Sequence, residues 1–162
     1  MENLTRVQKC SYGKCVVANT KLDRGSIVQK YKGNIVIWEQ VPINEICYAI
    51  LIDNRNWMII ESDARYINHS CDPNCIINDN LEVITIRPVF KDEELTVRYN
   101  LVHNNENPGS WDPRWSFKCL CGSKICQGNI NKYINEDGSE WHPLGSENLK
   151  INHIEDISIK SD

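Results

Sequence analysis

Residues 65–75 have the sequence Arg65-Tyr66-Ile67-Asn68-His69-Ser70-Cys71-Asp72-Pro73-Asn74-Cys75. The stretch combines an arginine, two asparagines, a histidine and two cysteines with a turn-forming Asp-Pro-Asn. A buried polar group without a partner costs about 1–3 kcal/mol, so a central segment this polar needs many hydrogen-bond partners. A polar surface loop and the lining of a site both meet that need. The downstream sequence favours the site.

The composition is that of an ordinary folded protein. The chain has 162 residues, 41% of them hydrophobic and 25% charged, which suffices for one domain with a core, or for one domain plus a small appendage. The formal charge of −4 and the pI of about 5.6 argue against general affinity for nucleic acid, whose binders are usually basic. We therefore expect no direct nucleic-acid partner.

The sequence also bears on the compartment. No apolar run reaches the length of a membrane span, and the first residues do not resemble a signal peptide, so we expect no membrane partner and an intracellular, reducing environment. Eight cysteines in such an environment indicate metal binding or free thiols before disulfides.

Short runs of β-branched and aromatic residues alternate with turn residues along the first hundred positions. They predict strands at residues 12–19, 26–31, 35–38, 46–53, 57–61, 75–77, 81–86 and 94–99. This spacing favours a mostly β fold, with a hairpin closed by Asn78-Asp79-Asn80. No long helical period precedes residue 145, and residues 147–162 are compatible with a short helix or an extra strand.

The segment Cys119-Leu120-Cys121-Gly122-Ser123-Lys124-Ile125-Cys126 predicts a zinc site, because it holds three thiols within eight residues. Structural zinc takes four tetrahedral ligands, so one more must come from elsewhere. The candidates are Cys71, Cys75, Cys10, Cys15, Cys47 or a histidine, and spacing alone does not choose among them.

Three motifs together resemble the SET-domain protein lysine methyltransferases that carry a post-SET zinc segment. They are the Arg65–Cys71 stretch, Glu94-Leu95-Thr96-Val97-Arg98-Tyr99, and the Cys-x-Cys-x4-Cys cluster. Upstream, Gly13-Lys14-Cys15 resembles the family's G-x-G cofactor turn and Tyr31-Lys32-Gly33 its Y-x-G element. The resemblance implies a fold of small β-sheets in which the Asn68–Cys71 segment is threaded through a neighbouring loop. Such threading is rare, and no residue pattern would reveal it.

The resemblance also implies the site. S-adenosylmethionine would be the cofactor, and Tyr99 matches the catalytic tyrosine. The positions that match cofactor contacts are Lys14, Tyr48, Arg65, Tyr66, Asn68, His69 and Phe117. The positions that match the ligands of one structural zinc ion are Cys71, Cys119, Cys121 and Cys126.

The sequence departs from the family at several of these positions. Cys15 replaces the second glycine of the cofactor turn, where its side chain either crowds the cofactor or fits a regular backbone. Arg98 replaces an acidic or small residue before Tyr99. Val97 and Ile77 are aliphatic where relatives have aromatic residues, so we expect the lysine pocket to admit di- or trimethyllysine unless Tyr48 or Tyr66 supplies a hydroxyl.

These matches imply a protein-lysine N-methyltransferase acting on a lysine-containing protein or peptide, with a histone tail as the first candidate. The expected location is the nucleus or chromatin if the substrate is a histone, and the cytoplasm otherwise. The alternative is a catalytically silent SET-like module that binds a peptide. The implied domains are a SET domain at 5–103, a post-SET zinc segment at 104–130 and an extension at 131–162.

Overall fold

Short strands are the main secondary structure of the described residues. The computed structural model describes residues 3–53, 55–99, 102–104, 117–130, 132–134 and 140–141. The strands of the first hundred residues are β1 (Thr5–Cys10), β2 (Gly13–Ala18), β3 (Ile27–Lys30), β4 (Gly33–Ile37), β5 (Ala49–Leu51), β6 (Asn56–Ile60), β7 (Asn68–His69), β8 (Cys75–Ile77), β9 (Glu82–Thr85) and β10 (Thr96–Val97). The later strands are β11 (Val102–Asn104), β12 (Phe117–Lys118), β13 (Asn129–Ile130), β14 (Lys132–Ile134) and β15 (Glu140–Trp141).

The helices in the described residues are short 3-10 turns at Trp38–Gln40, Ile43–Tyr48 and Asp63–Tyr66. None of them is long and apolar enough to cross a membrane. The mostly β architecture predicted from the turn spacing is therefore confirmed.

The chain divides into two compact units. The first comprises residues 1–98 with 123–126, and the second comprises residues 99–122 with 127–162. The second unit contains a three-stranded sheet ordered β11-β14-β15 and the antiparallel pair β12-β13. The predicted division at 103 and 130 stays a prediction, as does the threading of the Asn68–Cys71 segment.

The described strands of the first unit form four small sheets: β1-β2, β3-β9-β8, β4-β6-β5 and β7-β10. The core of this unit consists of fully buried aliphatic side chains on these strands and directly beside them, among them Val16, Val17, Ile67, Val83 and Leu95. β-Branched residues dominate this set because they pack well on a pleated surface. The predicted hairpin is confirmed, since β8 and β9 pair antiparallel with Ile76 opposite Ile84.

Gly33 allows two strands to approach closely at the start of β4. A Cβ atom at this position would lie 1.8 Å from the carbonyl oxygen of Ile59 on β6. No side chain fits in that space. The glycine of the Tyr31-Lys32-Gly33 element is therefore required by the backbone pairing of β4 with β6.

Two strands are shorter than the sequence predicts. Residues 46–53 were expected to be extended, but Ile43–Tyr48 is a 3-10 helix and only Ala49–Leu51 forms a strand. Pro42 precedes the helix, and its carbonyl accepts the N–H of Glu45 over 2.9 Å. Proline supplies no N–H but fits well at the start of a helical turn, which explains the difference.

The strand predicted at residues 94–99 is reduced to Thr96–Val97. The fully buried Asn74 side chain takes the place of a neighbouring strand: its Oδ1 accepts the N–H of Thr96 over 2.8 Å, and its Nδ2 donates to the carbonyl of Glu94 over 2.7 Å. The asparagine at the end of the polar stretch thus satisfies backbone groups next to the candidate site.

Candidate active site and metal centre

The polar stretch lies beside the strand that leads to Tyr99. Strand β7 runs parallel to β10, with Asn68 opposite Thr96 and His69 opposite Val97. The N–H of Ser70 extends the pairing by donating to the carbonyl of Val97 over 2.9 Å. Tyr99 follows β10 by two residues and is half-buried. The two most specific motifs of the sequence are therefore neighbours through their main chains.

Asn68 and Glu94 connect this pair to the turn between β1 and β2. The Asn68 side-chain amide donates to Glu94 Oε1 over 2.9 Å and to the Lys14 carbonyl over 3.0 Å. The other Glu94 oxygen accepts the hydroxyl of Tyr12. Burial, followed by that hydrogen bond, raises the pKa of Tyr12, so the phenol keeps its proton and donates.

Lys14 lies against an aromatic ring. Its Nζ is 4.7 Å from the centroid of the Tyr66 ring and 3.5 Å from the Tyr66 hydroxyl. A cation over a tyrosine face is attracted by about 0.5–1 kcal/mol at an exposed site. The backbone of Lys14 is also engaged, because its carbonyl accepts the Asn68 side-chain amide.

Arg65 is held by groups of the protein itself. Its guanidinium forms an ion pair with Glu45 over 2.5 Å, and its central carbon lies 3.9 Å from the centroid of the Tyr48 ring. Tyr48 in turn meets Tyr66 edge-on, with 6.2 Å between ring centroids. The structure thus brings Lys14, Tyr48, Arg65 and Tyr66 into one group, while their role toward a cofactor stays a prediction.

Four cysteines form a cluster that fits zinc. The sulfur atoms of Cys71, Cys119, Cys121 and Cys126 all lie within 4.8 Å of one another. Tetrahedral zinc with Zn–S distances of about 2.3 Å places its sulfurs about 3.8 Å apart, so a small contraction would form the site. Of the candidates for the fourth ligand, the structure selects Cys71. Cys75 is fully buried, and neither it nor Cys10, Cys15 or Cys47 belongs to the cluster.

Local turns bring the C-terminal thiols together. Gly122 adopts a φ of +66° between Cys121 and Ser123, a conformation that glycine accepts readily. The N–H of Cys126 donates to the Ser123 carbonyl over 3.0 Å, and the N–H of Cys119 donates to the Gly128 carbonyl over 2.7 Å. These bonds fix the backbone around the three thiols.

His69 lies next to one of the cluster sulfurs. Its Nε2 is 3.3 Å from Cys71 Sγ. Burial, followed by the positive charge of Arg98, lowers the pKa of His69. The imidazole is therefore neutral near pH 7 and carries one N–H.

Comparison with known proteins agrees with this geometry. The family model of the SET domain matches residues 13–100, more than half of the chain. The chain belongs to the SET domain family. The match includes β2, the polar stretch and Tyr99.

Similar curated proteins are histone-lysine N-methyltransferases. The enzyme of Emericella nidulans described as H3 lysine-4 specific is 36% identical over 75 residues, covering 42% of this chain and 6% of that protein. A histone-lysine N-methyltransferase of Arabidopsis thaliana is 24% identical over 172 residues, covering 86% of this chain and 35% of that protein. The chain thus spans a minor part of the length of these relatives.

A solved structure shows the same fold. The crystal structure of a candidate histone methyltransferase of Plasmodium falciparum has a TM-score of 0.54 to this chain at 19% sequence identity. The similarity covers 62% of this chain and 96% of that chain. At this identity it supports the SET fold alone.

Cys15, which replaces a family glycine, fits a regular strand in this SET domain. It pairs with Gln8 in the β1–β2 ladder, and its side chain is buried, with 2% of its surface exposed. Burial, followed by a hydrogen bond with Cys10, raises the pKa of the Cys15 thiol to about 11. Of the two expectations for this position, the structure supports the regular backbone.

The other departures also have defined places in the SET domain. Arg98 is exposed, Val97 is buried in β10, and Ile77 is half-buried in β8, which contacts β10. Phe117 pairs with Ile130 through its main chain, and its side chain lies outside the described residues. The roles predicted for Val97, Ile77 and Phe117 stay predictions.

Sequence reasoning missed Tyr12, Glu45 and Glu94. Glu94 is the first residue of the Glu94–Tyr99 motif. An acidic residue at the start of a predicted strand was the available signal for it. Glu45 reaches Arg65 across 20 residues and Tyr12 reaches Glu94 across 82, so no local pattern would have found those contacts.

The polar groups around Asn68 suit S-adenosylmethionine. Lys14 supplies a cation, Tyr66 a hydroxyl and Glu94 a carboxylate, all within one hydrogen-bonded group with Asn68. The methionine end of the cofactor carries a carboxylate and an ammonium, which need groups of both kinds.

Proposed function

We propose that the chain is a protein-lysine N-methyltransferase that uses S-adenosylmethionine, with a histone tail as its first candidate substrate. Membership of the SET family and similarity to histone-lysine N-methyltransferases support the reaction class. The parallel pairing of Asn68–His69 with the strand before Tyr99 carries the proposal, because it aligns the two motifs that the reaction needs.

The bound cofactor would supply a methyl group on a sulfonium, which the lysine nitrogen takes as the carbon–sulfur bond breaks. The protein mainly has to align the two reactants, which contributes up to about 7–11 kcal/mol when the geometry is good. Lys14, Tyr66, Asn68 and the backbone of His69 would hold the cofactor in that orientation.

Tyr99 would orient the lysine amine through its phenol oxygen. The amine must also be neutral to attack. Deprotonating a lysine of pKa near 10.4 at pH 7 costs roughly 4.6 kcal/mol. A channel with apolar walls lowers that cost, since burial disfavours the charged amine.

Zinc would hold the cysteine segment in its folded conformation. Four thiolates in a closed tetrahedral shell leave no position for substrate, so the ion would be structural. In our proposal the metal stabilises residues near the cofactor and takes no part in methyl transfer.

Cofactor binding and methyl transfer test the proposal separately. Isothermal calorimetry with S-adenosylmethionine measures the first. Transfer of radiolabelled methyl to a histone mixture, and to a lysate of the source cells, measures the second, with Tyr99→Phe as the matched variant. We expect binding by both proteins and transfer by the wild type alone.

The outcomes distinguish this function from the alternative. Cofactor binding without transfer to either mixture would contradict the enzyme and favour a catalytically silent module. If neither cofactor binding nor transfer occurs, both ideas fail and a zinc-stabilised structural domain remains. A labelled band in the lysate that is not a histone would support the proposed methyltransferase activity but identify a different substrate.

A further inference from the structure

The imidazole of His69 is placed to support a metal ligand. Its Nε2 lies 3.3 Å from the sulfur of Cys71, which is buried with 3% of its surface exposed. Nitrogen–sulfur hydrogen bonds are longer than nitrogen–oxygen bonds because sulfur is the larger atom, and 3.3 Å lies within their range. The contact therefore links the His69 side chain to the cysteine cluster, of which Cys71 is a member.

The backbone on both sides of this contact is fixed. His69 lies opposite Val97 in the parallel pair, and the N–H of Ser70 donates to the Val97 carbonyl over 2.9 Å. On the other side, the N–H of Asp72 donates to the Ser70 hydroxyl over 3.1 Å. The backbone that carries the imidazole and the sulfur is therefore held by hydrogen bonds at residues 69–72.

Electrostatics makes this contact more favourable once the metal binds. Metal binding converts the Cys71 thiol into a thiolate, which is a hydrogen-bond acceptor only. An N–H that points at a thiolate forms a charge-assisted bond, about twice as strong as a neutral one. Groups that hydrogen-bond to metal ligands in this way typically change metal affinity by 10- to 100-fold.

We propose that His69 donates its Nε2–H to the Cys71 thiolate and thereby orients this ligand and strengthens zinc binding. The inference rests on the zinc site of the proposed function but requires no methyl transfer. His69 is then a positioning residue. Its backbone belongs to the strand pair that precedes Tyr99, and its side chain belongs to the metal site.

Cobalt substitution tests the bond directly. Co²⁺ replaces Zn²⁺ in cysteine sites, and its thiolate-to-metal charge-transfer bands report the electron density on sulfur. His69→Leu removes the donor, whereas His69→Gln keeps an N–H near the position of Nε2. Circular dichroism of each metal-loaded protein checks that it is folded.

We expect His69→Leu to bind Zn²⁺ roughly 10- to 100-fold more weakly in a chelator competition and to shift the Co²⁺ charge-transfer bands to longer wavelength. His69→Gln should retain most of the affinity and the wild-type band positions. Equal affinity and equal spectra for wild type and His69→Leu would overturn the proposal. So would a wild-type chain that binds no cobalt, whether or not it transfers methyl groups.

A measurement on the unsubstituted protein covers the case in which His69→Leu does not fold. In the ¹¹³Cd-loaded wild type, an N–H···S bond transmits scalar coupling between the metal and the imidazole proton. Coupling to the Nε2 proton of His69 supports the bond. Its absence in a protein that shows the ordinary coupling to the cysteine protons overturns it.

Discussion

The Asn68 side-chain amide donates to Glu94 Oε1 over 2.9 Å and to the Lys14 carbonyl over 3.0 Å. One amide thus connects the polar stretch to the start of β2 and to the segment before β10. The Tyr12 hydroxyl donates to the other Glu94 oxygen. This carboxylate therefore joins three separate parts of the chain beside the proposed cofactor site.

Glu94→Gln should lower the thermal stability and, by loosening the group around Asn68, weaken S-adenosylmethionine binding about tenfold. A hydrogen bond to a charged acceptor contributes about 1.5–3 kcal/mol, and about 1.4 kcal/mol corresponds to a factor of ten. Isothermal calorimetry measures the affinity. Tyr12→Phe is the control, because it removes one partner of Glu94 but leaves the bond to Asn68. Unchanged affinity in Glu94→Gln would show that this carboxylate does not position the site.

Removing one thiol of the cluster should release the metal. We expect one zinc per wild-type chain by elemental analysis, and Cys121→Ala to lose most of it during dialysis against a chelator, because three ligands do not fill the tetrahedral shell. Cys47→Ser changes an exposed thiol outside the cluster and should keep the metal. Stripping zinc from the wild type should also reduce methyl transfer. Full activity in the metal-free protein would contradict the coupling.

The sequence predicted those parts of the site that lie in contiguous motifs. The turn residues between short apolar runs predicted the β8–β9 hairpin, and the spacing of Cys119, Cys121 and Cys126 predicted the metal cluster. These features depend on local chain geometry. The choice of Cys71 as the fourth member came from family resemblance, since spacing left several candidates open.

The rest depends on contacts between distant residues. Asn74 substitutes for a strand partner of Thr96 across 22 residues, and no periodicity distinguishes it from an asparagine in an exposed turn. The 3-10 helix at Ile43–Tyr48 follows a proline in a segment whose composition favours a strand. A tertiary contact overrides local propensity at Asn74, whereas the preceding Pro42 does so at the helix.

Gly33→Ala should destabilise the protein severely. The added Cβ would lie 1.8 Å from the Ile59 carbonyl oxygen, so β4 and β6 must separate or distort. Overpacking typically costs about 1–3 kcal/mol of unfolding free energy. A clash this close to a backbone atom should cost about 3 kcal/mol or more. Gly25→Ala is the control: it has a φ of +89° but open space around its Cβ, and we expect it to cost about 1–2 kcal/mol. Chemical denaturation measures both values. Equal losses of unfolding free energy in Gly33→Ala and Gly25→Ala would show that β4 and β6 separate easily.

Glu93 should make stability depend on acid pH. Burial alone would raise its pKa, but hydrogen bonds from the Phe90 N–H, Arg87 and Asn74 outweigh that effect and hold the pKa below its usual value. A lowered folded-state pKa contributes stability above the pKa of the unfolded chain, near 4.3, and that stability is lost as the pH falls through the folded-state value.

The difference in unfolding free energy between wild type and Glu93→Gln should therefore be largest near neutral pH and shrink as the pH falls below about 4.3. Urea denaturation at a series of pH values measures it. Glu39→Gln, at an exposed position in the 3-10 helix Trp38–Gln40, is the control. A difference that stays constant between neutral and acid pH would show that the ionised form of Glu93 does not stabilise the fold.

If the chain has the proposed methyltransferase activity, Ile77→Tyr should lower the number of methyl groups that it adds. We expect the wild type to reach di- or trimethyllysine in an exhaustive reaction, because neither Ile77 nor Val97 offers a hydroxyl to hold a water or restrict rotation of the amine. Ile77 is half-buried, so a larger ring is easier to accommodate there than at Val97, which is 1% exposed.

Mass spectrometry of the product peptide measures the outcome, and Ile77→Phe is the control because it adds the ring without the hydroxyl. We expect mainly monomethyllysine from Ile77→Tyr and higher states from Ile77→Phe. Identical products from the two variants would assign the effect to ring size. A wild type that stops at monomethyllysine would instead indicate that Tyr48 or Tyr66 supplies the hydroxyl. Tyr66 is the first to test by Tyr66→Phe, since its hydroxyl lies 3.5 Å from Lys14 Nζ beside the proposed cofactor site.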